Sequence, residues 1–158
     1  MGLVHEHLYR TANGTKNNLQ QHLEDLVRNT LVAYGAHDRV SIHVDAPLPI
    51  FESGTLMPLT LVVNELFTNA IKYAFDGMDS GRISIVVREI GDGYELLFAH
   101  LGTGSGNTGP ILKDRSFGME LVQMLAAQMN GEVTFPKGNG TSLRLTFKSE
   151  KEQLRMAS

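Results

Sequence analysis

The sequence of 158 residues contains no cysteine and no tryptophan. A chain without cysteine can form neither disulfides nor thiolate metal sites, and this composition fits the reducing cytoplasm, where we expect the protein. Its net charge of -3 gives no basic footprint for nucleic acid. No apolar run reaches transmembrane length, so we expect no membrane contact. What remains is an ordinary globular composition, 42% hydrophobic and 20% charged, that is long enough for one domain.

The spacing of apolar residues predicts helices and strands that neither alternate strictly nor segregate along the chain. The order is helix, strand, helix, two strands, a glycine-rich loop, helix and two strands. We predict helices over 15–34, 56–75 and 117–129, and strands over 40–45, 82–89, 94–100, 132–135 and 142–147. This order favours a two-layer α/β sandwich, with a mixed sheet and helices on one face. Residues 3–10 are predicted to be the end of a further helix, followed by a break.

The helix predicted over 56–75 carries a polar stripe inside an otherwise apolar sequence. Glu65, Asn69 and Lys72 are spaced i, i+4 and i+7, which places them on one line of an α-helix. Such a stripe is usually a solvated face. Here it combines a carboxylate, an amide and an amine, a set that can hold Mg²⁺ through oxygen ligands and contact phosphate.

The glycine-rich segment 101–115 precedes the helix that opens at Phe117. Composition alone favours a flexible linker. However, a linker seldom separates a strand from a helix of one core, and a loop ending in Ser116-Phe117-Gly118 would present unpaired N–H groups at a helix N-terminus. Glycine at position 118 would let the backbone approach a phosphate closely. The segment therefore also fits an anion site, and we expect it to be mobile without ligand.

Three stretches together resemble the ATP-binding domain of bacterial sensor histidine kinases, in particular the atypical group close to the HWE kinases. Residues 64–74, Asn-Glu-Leu-Phe-Thr-Asn-Ala-Ile-Lys-Tyr-Ala, resemble the N-box. Residues 116–122 resemble the second glycine box, and Gly140-Thr141 resembles the Gly-Thr element on the last strand. The resemblance covers about residues 3–148. It implies the Bergerat fold of the GHKL ATPases and a short ATP lid over 101–115.

The same resemblance implies a role for individual residues. Asn69 corresponds to the Mg²⁺ ligand, Glu65 to the catalytic carboxylate and Lys72 to a phosphate contact. The implied nucleotide-binding residues are Asn64, Asn69, Lys72, Tyr73, His100, Gly102, Gly104, Ser116, Phe117, Gly118, Met119 and Thr141.

The sequence departs from the family pattern in two respects. His100 stands where the first glycine box carries the aspartate that receives the adenine amino group. The phosphoacceptor histidine is missing, because it would precede residue 1. We therefore interpret His5, His7 and His22 as surface residues. We divide the chain into 1–14, the end of the dimerisation hairpin and a linker, 15–148, the ATP-binding domain, and 149–158, a polar tail.

The resemblance implies a catalytic domain that transfers the γ-phosphoryl of Mg-ATP to a histidine on a separate hairpin, with a response regulator as a further partner. One alternative is a degenerate domain that has lost ATP binding and serves as a docking module for a regulator or phosphotransfer partner. Another is an anti-sigma-type serine kinase on the same fold, which the N-box and second glycine box disfavour. Without the hairpin, we expect a mainly monomeric protein.

Overall fold

The computed structural model describes residues 18–74, 80–103, 117–136 and 141–149. In chain order the elements are α1 (Leu19–Ala33), β1 (Val40–Asp45), α2 (Ser53–Asn69), a π-helix (Ala70–Ala74), β2 (Ser80–Ile90), β3 (Gly93–Thr103), α3 (Phe117–Gln128), β4 (Glu132–Thr134) and β5 (Thr141–Phe147). The helix expected over 3–10, the break after it and the polar tail from 150 onward lie outside these ranges.

The five strands form one mixed sheet in the order β1-β2-β3-β5-β4. Strands β1 and β2 are parallel, and the other neighbouring pairs are antiparallel. Along β2 and β3, buried and exposed side chains alternate, because successive residues of a strand point to opposite faces. The buried face, with Ile83, Ile85, Leu96 and Phe98, belongs to the same core as the apolar sides of the three helices. This is the predicted two-layer sandwich with helices on one face.

Helix α1 begins and ends at residues whose chemistry favours helix ends. The Asn18 side chain accepts a hydrogen bond from the Gln21 N–H at 2.8 Å, which caps the helix N-terminus. Gly35 adopts φ +64°, and the Ala36 N–H returns to the Leu31 carbonyl, the pattern of a glycine-terminated helix. The predicted end at Gly35 is therefore confirmed, whereas the helix begins four residues later than the predicted Thr15.

The interpretation of His22 as a surface residue is wrong, because its side chain is fully buried at 0% exposure. His22 lies three residues after Leu19 and four before Leu26, so it shares their apolar face of the helix. Its Nε2 lies 2.9 Å from the Thr60 hydroxyl of α2. Thr60 also donates to the Leu56 carbonyl at 2.7 Å. A hydrogen-bonded partner on the neighbouring helix makes this buried polar residue tolerable. His5 and His7 lie outside the described residues.

Helix α2 differs from its prediction at both ends. It begins at Ser53 rather than near Leu56, because the Thr55 and Leu56 N–H groups already bond to the Glu52 carbonyl. At its other end the α-helix stops at Asn69 and continues as a π-helix to Ala74. A π-turn has i→i+5 bonds and is wider than an α-turn. The predicted straight α-helical line therefore holds from Glu65 to Asn69 but not as far as Lys72.

Strands β2 and β3 extend further than the sequence predicted. They pair from Ser80–Thr103 down to Ile90–Gly93 around a tight turn, in which Gly91 has φ +54°. Residues 101–103 thus belong to β3, which corrects the predicted start of the glycine-rich loop at 101. Cross-strand hydrogen bonding extends the strands, and periodicity does not reveal it. The rest of that loop, from Gly104 onward, is not among the described residues.

The free edge of β1 is partly covered by one side chain. The Gln20 carboxamide donates to the Val44 carbonyl and accepts from the Ala46 N–H, both at 2.6 Å. It replaces a neighbouring strand at this position, which blocks edge-to-edge pairing. Within the described ranges, no helix is both long and apolar enough to cross a membrane.

Candidate functional site

Helices α2 and α3 pack against each other and bring two of the singled-out motifs together. The point of contact on α3 is Gly118, the second residue of that helix. A Cβ atom built on Gly118 would overlap Oε1 of Glu65 and would lie 3.0 Å from Glu65 Cδ and 3.1 Å from Asn69 Nδ2. The polar stripe of α2 therefore meets the α3 backbone at a position where only glycine leaves room for both side chains.

Glu65 and Asn69 are both half-buried. They are one α-helical turn apart, so their side chains project to the same side of α2. Asn64, next to Glu65 in sequence, is also half-buried. The N-terminus of α3, where the first N–H groups of a helix lack intrahelical partners, lies beside the carboxylate and the carboxamide. The cleft between the two helices thus combines oxygen ligands with backbone donors.

Lys72 is placed differently from Glu65 and Asn69. It belongs to the π-helix, its side chain is exposed, and its ammonium lies 5.7 Å from the centre of the Tyr34 ring. This distance is within the range of a cation–π contact. Tyr34 follows α1, belongs to none of the sequence motifs and is 38 positions from Lys72 in sequence. No local pattern links two residues that far apart.

His100 lies on β3 and points toward the helix layer, with 6% of its surface exposed. Burial lowers the pKa of the imidazole below its ordinary value, because a low-dielectric environment disfavours the charged form. The π-helix contacts β3, the strand that carries His100. The histidine is therefore neutral near pH 7, and its strand contacts the π-helix that follows α2.

The remaining predicted site residues are described to different extents. Gly102 is in β3, opposite Gly81 of β2. Met119 is buried in the core beside Gly118. Phe117 and Thr141 are the first residues of α3 and β5, and Tyr73 is in the π-helix. Gly104 and Ser116 lie outside the described residues.

The donor set in the cleft fits a hard divalent cation. Glu65 and Asn69 supply carboxylate and carboxamide oxygens, the ligand types that Mg²⁺ prefers. Among the described residues, no group of three or more His, Cys, Asp or Glu side chains forms a ready metal cage. Mg²⁺ commonly binds one or two protein oxygens together with water and substrate phosphates.

The sequence profile of histidine kinase-, DNA gyrase B- and HSP90-like ATPases matches residues 54–151, which include α3 and all of α2 except Ser53. The chain belongs to this ATPase family. Its mixed sheet under a helix layer is the Bergerat fold of that family, which confirms both the suspected family and the fold class. Among curated proteins, none matches this chain by sequence.

Solved structures similar to this ATPase-family domain include histidine kinases and their domains. The histidine kinase domain of the blue-light-activated kinase EL346 from Erythrobacter litoralis superposes with a TM-score of 0.73 at 15% identity, over 99% of this chain and 74% of that domain. A longer structure of the same kinase gives 0.71 at 17% identity, over 87% of this chain and 43% of the kinase. The kinase AdeS from Acinetobacter baumannii gives 0.62 at 13% identity, over 90% and 73%. At these identities the likeness shows the fold.

Proposed function

We propose that this domain binds Mg-ATP in the cleft between α2 and α3 and transfers the γ-phosphoryl to a histidine on a separate phosphoacceptor hairpin. The observation that best supports this proposal is the approach of Gly118 to Glu65 and Asn69. It joins the polar stripe of one family motif to the helix N-terminus of another. Membership of the ATPase family supports nucleotide binding in general.

In this proposal the N-terminus of α3 receives the phosphates. Its unpaired N–H groups and the positive end of the helix dipole favour an anion. The missing side chain at Gly118 leaves room for Glu65 and Asn69 beside this helix end. Ser116, Phe117 and Thr141 would line the same cleft, with Gly102 near the end of β3 and Gly104 at the start of the lid. Lys72 would contribute a cation if it leaves the Tyr34 ring and turns toward the phosphates.

Asn69 would hold Mg²⁺ through its carboxamide oxygen, with Glu65 close by. When bound, Mg²⁺ neutralises charge on the phosphate oxygens during transfer. The half-buried position of Asn69 supports this role, because its oxygen can bind a ligand without first leaving a packed core.

Glu65 would act on the incoming imidazole. Its carboxylate can accept a hydrogen bond from one ring N–H, which orients the other nitrogen toward the γ-phosphorus. The new N–P bond forms as the bond from phosphorus to the β–γ bridging oxygen breaks, and ADP leaves. Positioning and charge stabilisation supply most of the catalysis in phosphoryl transfer.

The wider setting follows from the same proposal. We propose that the domain is part of a two-component kinase. Its partners would be the acceptor hairpin and a response regulator, and its location would be the cytoplasm. The ATP-binding domain would span 15–148, after a hairpin end and linker over 1–14 and before a tail over 149–158.

The test is calorimetric titration of Mg-ATP into the wild type, Asn69→Ala and the control Gln123→Ala. Gln123 is an exposed carboxamide on α3, so its removal changes a similar group outside the cleft. We expect Asn69→Ala to abolish the Mg²⁺-dependent part of binding, while its unfolding free energy changes by less than about 1 kcal/mol. Gln123→Ala should behave as wild type.

Three outcomes would contradict the proposal. Equal binding by wild type and Asn69→Ala removes Asn69 from the metal site, and unfolding of Asn69→Ala makes it a structural amide. A folded wild type that binds no nucleotide at any pH favours the docking module. If nucleotide does bind, a phosphotransfer assay with a supplied histidine hairpin or a serine substrate separates a histidine kinase from an anti-sigma-type serine kinase.

A further inference from the structure

A second concave region lies on the sheet face that turns away from the helices. Its floor is a row of three cross-strand neighbours, Ser41 of β1, Arg82 of β2 and Leu101 of β3. All three side chains are exposed and alternate with buried residues on their strands. They therefore point to the open face of the sheet.

The turn between α1 and β1 forms the wall of this region. Together, wall and floor line an open depression of about 500 Å³, within the range of roughly 300–1,000 Å³ that is typical of small-molecule sites. We call it the rear pocket. Its principal lining residues are His37, Arg39, Ser41, Ser80, Arg82 and Leu101.

The two arginines of the rear pocket, Arg39 and Arg82, differ from Arg88 and Arg144 in their ion pairing. Arg88 and Arg144 both form ion pairs with Glu95, whose carboxylate they cover. Among the described residues, no ion pair involves Arg39 or Arg82. Among the described residues, the one acidic residue that lines the pocket is Asp38, which lies 3.5 Å from His37 Nε2. Within the described part of the chain, the lining thus includes two arginines and one carboxylate.

Leu101 gives the rear pocket an apolar part. It is 59% exposed, which makes it one of the most exposed large apolar side chains of the described chain. It stands directly beside Arg82 in the register of the sheet. A guanidinium next to an exposed leucine matches a ligand that has an anionic oxygen head and an apolar body, since arginine binds carboxylate and phosphate in a bidentate manner.

We propose that the rear pocket binds a small organic anion, with its phosphate or carboxylate head on Arg39 and Arg82 and its apolar body on Leu101. This site is separate from the nucleotide cleft. Successive β3 residues point to opposite faces, so His100 faces the helix layer while Leu101 faces the rear pocket. The proposal does not depend on ATP binding.

The experiment titrates phenyl phosphate, and in parallel phenylacetate, into the 158-residue protein and follows backbone amide resonances by NMR. We expect saturable shifts at Gly81, Arg82 and Leu101 with at least one probe at millimolar concentration. Saturable shifts with phenyl phosphate alone would identify a phosphate ester as the ligand class. Saturable shifts with phenylacetate alone would identify a carboxylate. Arg82→Gln and Arg39→Gln should each weaken binding about tenfold, the effect of losing one charge-assisted hydrogen bond.

Two controls make the result decisive. Arg28→Gln removes an exposed arginine of α1 outside the rear pocket and should leave the affinity unchanged. Asn69→Ala alters the nucleotide cleft and should also leave it unchanged. Leu101→Ser should weaken the binding of phenyl phosphate more than the binding of inorganic phosphate, which has no apolar body. The proposal is overturned if neither probe gives saturable shifts at these amides, if both arginine variants bind as wild type, or if Asn69→Ala abolishes the shifts.

Discussion

Helix α2 carries two polar groups on different sides, and they behave differently. Toward α1 it presents Thr60, fully buried and hydrogen-bonded to the equally buried His22. Toward α3 it presents Glu65 and Asn69, half-buried beside Gly118. Both groups interrupt an apolar helix. Burial with a satisfied partner marks a structural pair, whereas half-burial beside a helix N-terminus leaves polar atoms available to a ligand.

A comparison of two glycine substitutions tests the ligand-facing side most strongly. In Gly118→Ala, the new methyl group meets the movable carboxylate end of Glu65. The fold should tolerate it, with an unfolding free energy within about 1 kcal/mol of wild type, because alanine also favours the helix. The displaced carboxylate should lower phosphotransfer to a supplied hairpin about 100-fold, since small misplacements of catalytic groups have effects of this size.

Gly131→Ala is the matched variant for fold damage. Its methyl group would meet the backbone carbonyl of Thr146, which cannot turn aside. Thermal unfolding should show a clear loss of stability for Gly131→Ala and little change for Gly118→Ala. Normal phosphotransfer by Gly118→Ala would contradict the proposed role of Glu65.

The structural side of α2 is tested by Thr60→Val. Valine removes the hydroxyl that His22 Nε2 contacts, inside a region with no exposed surface. We expect the unfolding free energy to fall by about 1–3 kcal/mol, the cost of breaking a buried polar contact, with Mg-ATP affinity unchanged. Denaturant unfolding and calorimetry measure the two quantities.

Thr30→Val is the control for this change. The Thr30 hydroxyl bonds only within its own helix, to the Leu26 carbonyl at 2.9 Å. Its loss should therefore cost less than that of Thr60. Equal losses for both variants, or a loss of nucleotide affinity in Thr60→Val, would show that the contrast between the two sides of α2 is wrong.

The smallest expected effect concerns His100, a buried histidine that, unlike His22, we predict to lie at the adenine position. A neutral imidazole accepts a hydrogen bond more weakly than a carboxylate, so ATP should bind weakly and with little selectivity over GTP. His100→Asp should tighten ATP binding about tenfold.

The pH dependence has a definite sign. Burial lowers the pKa of His100 from its ordinary 6.5. The ring therefore stays neutral, and able to accept a hydrogen bond, until the pH falls below this lowered pKa. ATP binding should weaken only in that acidic range. Calorimetric titration of both nucleotides at several pH values measures this. Tight, adenine-selective and pH-independent binding by the wild type would contradict it, as would a His100→Asp variant that binds ATP no better.

Short-range patterns predicted most of the secondary structure. Strand β1 has the predicted bounds, Val40–Asp45, and α3 begins at the predicted Phe117. Alternation and helical periodicity indicate which side of each element is buried, and the folded structure buries that side. The predictions failed where a distant partner decides the outcome. The pairing of β2 with β3 extends both strands, and the Glu52 carbonyl starts α2 early.

The candidate site shows the same division. The motifs alone predicted that Glu65, Asn69 and Gly118 share one site, and the structure brings these three together. The motifs did not predict that Lys72 lies over Tyr34, because the π-helix after Asn69 changes the direction of later side chains. The roles assigned to these residues, the mobile lid and the domain boundaries stay predictions.

The sequence by itself determined the family, the order of elements and the residues that could carry phosphoryl chemistry, because motifs and periodicity are local. Only the tertiary structure decided that His22 is a core residue, that the Gly118 backbone lies against Glu65, and that Ser41, Arg82 and Leu101 meet in the rear pocket. Each of these depends on contacts between residues at least 19 positions apart, which form only when the sheet and the helix layer pack together.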